Sequence, residues 1–197
     1  MINENNELYR VLTEDQSEDR EGQTPAILFA YKIRKELSEG AEIDEIKCWM
    51  IEIAENIEEL NLGQIQSFFF FLYSTKIKTD ELFVVLKSKL EVNFLQNNPE
   101  SIKRRAEILR FIVNNSEFFT ADELESEEYV KEKAPWYFFD CMVKRSEERA
   151  IIFLNRLLEE GVNLQQFLMR LPALRKDMLS DFIKILDFIK MNLKEKK

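Results

Sequence analysis

The sequence predicts an all-α protein of about ten helices, paired as antiparallel helical hairpins in either a HEAT-like α-solenoid or a compact multi-helix bundle. Three observations carry this. Apolar residues recur at spacings of three and four, the period of a helix with one buried face. The 4 Gly and 4 Pro fall mostly where such runs begin or end. Alternating stretches joined by Asn-Gly or Asp-Gly, the usual signature of a β-hairpin, are missing.

In chain order, residues 1–24 are rich in Asn, Glu, Asp, Gln and Ser and hold seven acids against two bases, so they are expected to form an acidic, unstructured tail. A single helical domain is expected over 25–197. Thr24-Pro25 is an N-cap followed by a first-turn proline, and Ile27, Leu28, Tyr31, Ile33 and Leu37 continue a helix over 25–39 toward Gly40. The set Ile43, Ile46, Met50, Ile53, Ile57 and Leu60 lies on one face of a helix over 43–61. Helices over 62–76, 80–97 and 99–114 follow, with starts at Thr79-Asp80-Glu81 and Asn98-Pro99-Glu100. These first five start roughly 18 to 20 residues apart, as short-looped hairpins would. Beyond them come 121–133, opened by a Thr120–Glu123 capping box, then 135–145, 147–160, 163–171 and 173–195. Stops are read at Gly63, Asn97-Asn98, Asn114-Asn115 and Gly161.

Composition narrows the chemistry. The chain has no histidine, which excludes imidazole as base, proton shuttle or metal ligand, and with it Ser-His-Asp, Cys-His, H-E-x-x-H and di-iron E-x-x-H sites. A net charge of −9 repels nucleic-acid phosphates and anionic lipid and favours a basic partner. Cys48 and Cys141 show no metal-ligand spacing and are expected to be inert core residues in a reducing, cytoplasmic setting. The longest apolar run, Phe68 to Tyr73, is far shorter than the roughly 20 residues of a membrane span.

Four constellations remain as candidate sites. Glu45, Glu52, Glu55 and Glu59 form a stripe opposite the seam of their helix, and Glu52 with Glu55 has the E-x-x-E spacing that holds Mg²⁺ in some all-α phosphohydrolases, although a solvated face accounts for it equally. Phe68 to Phe71 point almost all round a helix, which predicts a central helix covered on most sides. Pro135-Trp136-Tyr137-Phe138-Phe139, continuing through Asp140 to Met142, is the densest mixed aromatic run. Trp136, Tyr137, Phe138, Asp140 and Met142 are therefore the expected partner-binding groove. Lys76, Lys78, Lys103, Arg104 and Arg105 are the cations that would have to share a face if the chain bound RNA. The terminal stretch, with Leu174, Met178, Phe182, Ile185, Ile189 and Leu193, is strongly amphipathic and suits a capping or docking helix.

The segment Leu60 to Leu82, with Ile65, Phe68, Phe69, Phe70, Leu72, Glu81 and Leu82, resembles the helical-hairpin unit of octotricopeptide and FAST-kinase-like RNA-binding repeats. The resemblance covers one unit, and Phe71 and Tyr73 stand where that pattern has small alanines. It implies an RNA-binding helical repeat. The sequence as a whole points instead to a non-enzymatic, intracellular protein–protein interaction module without cofactor or metal: an adaptor, an assembly chaperone or an immunity-type inhibitor. The RNA-binding repeat is the alternative, and a carboxylate and Mg²⁺-dependent phosphohydrolase the further one.

Overall fold

The computed structural model describes residues 2, 5–14, 24–77, 79–92 and 99–163. Among these it contains ten α-helices, one 3₁₀ turn and no strand: α1 Glu7–Thr13, α2 Pro25–Ser38, α3 Asp44–Glu55, the turn Ile57–Glu59, α4 Leu62–Thr75, α5 Asp80–Val92, α6 Pro99–Asn115, α7 Ala121–Glu125, α8 Glu128–Lys133, α9 Pro135–Arg145 and α10 Glu147–Glu159. The chain divides into two compact units, Met1–Phe118 and Phe119–Lys197. The helices expected over 163–171 and 173–195 lie outside the described residues.

Most helix ends follow from local chemistry. Thr24 accepts from the Ile27 amide at the start of α2, and Ser146 does the same for Arg149 at α10. Thr120 and Glu123 form the expected capping box. Gly40 and Gly161 take positive φ values of 91° and 87° at the ends of α2 and α10. There the amides of Ala41 and Val162 reach back to the carbonyls of Glu36 and Leu157, closing Schellman turns that require a left-handed residue.

Gly63, expected as a stop, lies inside the first turn of α4, because Asn61 and Gln64 form a second capping box around it. The helix expected over 43–61 ends at Glu55. The Asn56 side chain donates to the Glu52 carbonyl at 2.8 Å, competing with the helical ladder, and the chain continues as the 3₁₀ turn. The helix expected over 121–133 is two. Its acids run to Glu125, Glu127 and Glu128, where they oppose the negative end of the helix dipole, and it breaks at Ser126–Glu127.

Within 1–24, expected to be an unstructured tail, Glu7–Thr13 folds as α1. Its apolar residues Leu8, Val11 and Leu12 are buried, and Asn6 caps it by accepting from the Tyr9 amide at 2.9 Å. Asn6 is itself 1% exposed and donates to the Trp49 carbonyl and to Glu52 Oε2 at 3.2 and 2.8 Å, fastening α1 to α3. The acidic composition around α1 conceals one helical face of i, i+3, i+4 spacing.

In the first unit α2, α4 and α6 pack side by side in that order, as do α1, α3 and α5, and α1–α2 and α5–α6 join the two rows. Helices α2, α4 and α6 begin at Pro25, Leu62 and Pro99, and α1, α3 and α5 at Glu7, Asp44 and Asp80, so each helix pair begins 36 or 37 residues after the last. The repeat lies in helix spacing, not in residue identity. Gln66 meets Glu107 and Phe69 stacks on Phe111 at 4.2 Å, so α4 and α6 run parallel. Phe83 meets Phe111 and Arg105 reaches the Leu90 carbonyl, so α5 and α6 run antiparallel.

Aromatic packing knits the first unit together: Phe29 on Phe71 at 5.8 Å, Phe69 on Phe111, and Phe83 against both Phe111 and Phe118. Helix α4 is central, as Phe68 to Phe71 predict, with Ile65, Phe68, Phe71 and Leu72 fully buried. The second unit is organised on α9, which packs on α7, α8 and α10, with Phe138 and Phe153 rings 4.7 Å apart.

Candidate functional site

The expected groove on α9 is mostly core. Pro135 starts the helix at its first position, and the next residues turn their rings along its N-terminal turn: Trp136 and Tyr137 are half-buried, with centroids 6.3 Å apart. Phe138, Asp140 and Met142 are 1%, 4% and 1% exposed. The helical period that brings Phe138 and Met142 onto one face turns that face toward α10, and Lys131 covers the Phe138 ring at 5.8 Å. Only Trp136 and Tyr137 of the five reach the surface.

The basic cluster divides as well. Arg104 Nη1 donates to the Glu58 and Leu60 carbonyls at 3.3 and 2.9 Å, closing the 3₁₀ turn against α6. Arg105 Nη1 donates to the Leu90 carbonyl near the end of α5. Both guanidiniums satisfy backbone carbonyls that helix ends leave without an intrahelical donor. Lys103 and Lys76 are exposed, and Lys78 lies outside the described residues.

The acidic stripe does not converge. Glu45, Glu55 and Glu59 are exposed, while the Glu52 carboxylate is engaged by Asn6. Among the described residues no three Asp, Glu, Cys or His side chains gather as metal ligands would. In the second unit Asp122 and Glu125 hold Arg149 at 2.6 and 3.2 Å, and the Asp122 hydrogen bond raises the guanidinium pKa above its ordinary value. Cys141 is buried as expected, but Cys48 is exposed: Ile46 and Met50 take the seam of α3 and turn Cys48 outward.

A surface the sequence did not single out lies on α2 and α4. Leu28 and Tyr31 on α2 are 44% and 50% exposed, and Phe70 and Tyr73 on α4 are 37% and 50% exposed. Each is an i, i+3 pair and so occupies one side of its helix. The two helices are neighbours joined by the Phe29–Phe71 stack, and α1 packs beneath both. Their buried sides, Ala26, Ala30 and Ile33 on α2 and Ile65, Phe68 and Leu72 on α4, take the core. Each pair therefore lies on the solvent side of its own helix. Helix α4 carries no charged residue from Leu62 to Thr75. The Phe run concealed this face, because four consecutive apolar residues suggest burial all round whereas a helix with one open side leaves one of them out.

Among the described residues no helix is long and apolar enough to cross a membrane. No protein-family model matches the chain, and no curated protein or solved structure is significantly similar to it.

Proposed function

We propose that the chain is a non-enzymatic protein–protein interaction module that docks its partner on the α2–α4 face. One observation carries the reading: four large apolar side chains, two of them tyrosines, stand open on adjacent helices, one of which is uncharged along its length. Isolated exposed apolar residues are ordinary on protein surfaces, but four on two neighbouring helices leave apolar area that a docked partner would remove from water. Tyrosine suits such a surface because it offers a large rigid ring and a polar tip. The Trp136–Tyr137 rim of α9 is the second place at which a partner could gain aromatic contact. Nothing in the acidic stripe favours metal-assisted hydrolysis, and the inward engagement of Arg104 and Arg105 withdraws two of the cations that the RNA reading needs.

The test is affinity capture of the tagged chain from its native lysate, with and without RNase, using the parent, Tyr31→Ala with Tyr73→Ala, and Trp136→Ala with Tyr137→Ala. The reading requires a stoichiometric protein that survives RNase and is lost with the first pair. Loss with the second pair alone moves the site to α9, and capture abolished by RNase replaces the reading with RNA binding.

A further inference from the structure

We draw no further inference here: the strongest candidate, the exposed apolar side of α2 and α4 at Leu28, Tyr31, Phe70 and Tyr73, belongs to the site already described, and nothing in the structure shows what covers it.

Discussion

Replacing Asn6 by Ala should release α1 from the first unit. The side chain does three things at once: Oδ1 caps α1 through the Tyr9 amide, and Nδ2 donates to the Trp49 carbonyl and the Glu52 carboxylate. Loss of an Asn cap costs about 1 kcal/mol. Leaving a partly buried carbonyl and carboxylate without this donor adds about 1 kcal/mol. The sum, about 2 kcal/mol, is roughly a thirtyfold change in the equilibrium for undocking α1.

Hydrogen exchange is the assay, because a seven-residue helix at one edge of a unit can open without global unfolding. Amides on the buried side of α1, at Val11 and Leu12, should exchange roughly thirtyfold faster in Asn6→Ala while those of α4 hold their protection. Asn6→Asp sharpens the test. It keeps an acceptor for the Tyr9 amide but sets a second carboxylate against Glu52, which raises the folded-state pKa of the pair above its unfolded value. The destabilisation relative to the parent is then fully present at neutral pH and fades as pH falls through that raised pKa. Unchanged exchange in Asn6→Ala, or an Asn6→Asp penalty that grows on acidification, would refute the reasoning.

Further outcomes follow from the same geometry. Lys76 ends α4 in the left-handed region at φ 59°, so Lys76→Gly should stabilise the first unit by about 0.5–1 kcal/mol in urea titration, the relieved strain outweighing glycine's extra freedom in the unfolded chain. Gly161→Ala should cost about 1 kcal/mol, since φ 87° is closed to an L side chain at no strain, and should lower the melting temperature of the second unit. Phe68→Ala, at a position with no exposure in the central helix, should cost about 3–5 kcal/mol. Arg104→Met should destabilise by about 2 kcal/mol, because the Glu58 and Leu60 carbonyls lose a charged donor, as a denaturant midpoint would show.

The elements that were legible in the sequence are those whose signal is local. Caps at Thr24 and Thr120, the Gly161 stop and the Ile46–Met50–Ile53 seam each rest on residues within a turn of one another, and each holds in the structure. What was not legible depends on distant partners. Composition hid α1, because seven acids among 24 residues outweigh three buried apolar positions, so the expected series of helix starts lacked its first member. The fates of Arg104 and Arg105 turn on carbonyls 44 and 15 residues away, to which a basic run in the sequence is blind. The α9 residues were chosen by residue type, yet type does not say which side of a helix is covered, and Phe138 and Met142 face inward. The open side of α4 was hidden for the complementary reason: Phe70 and Phe71 are the same residue type one position apart, and only the neighbouring helices distinguish them.

The most direct test of the docking face is a photo-crosslinker placed at Tyr73 of the full chain in native lysate, with a second at exposed Ile152 on α10 as the control. A discrete protein adduct at Tyr73 that resists RNase, and is missing from the Ile152 control, is the predicted result. No adduct at Tyr73, the same adducts at both positions, or an adduct that RNase removes would contradict the account.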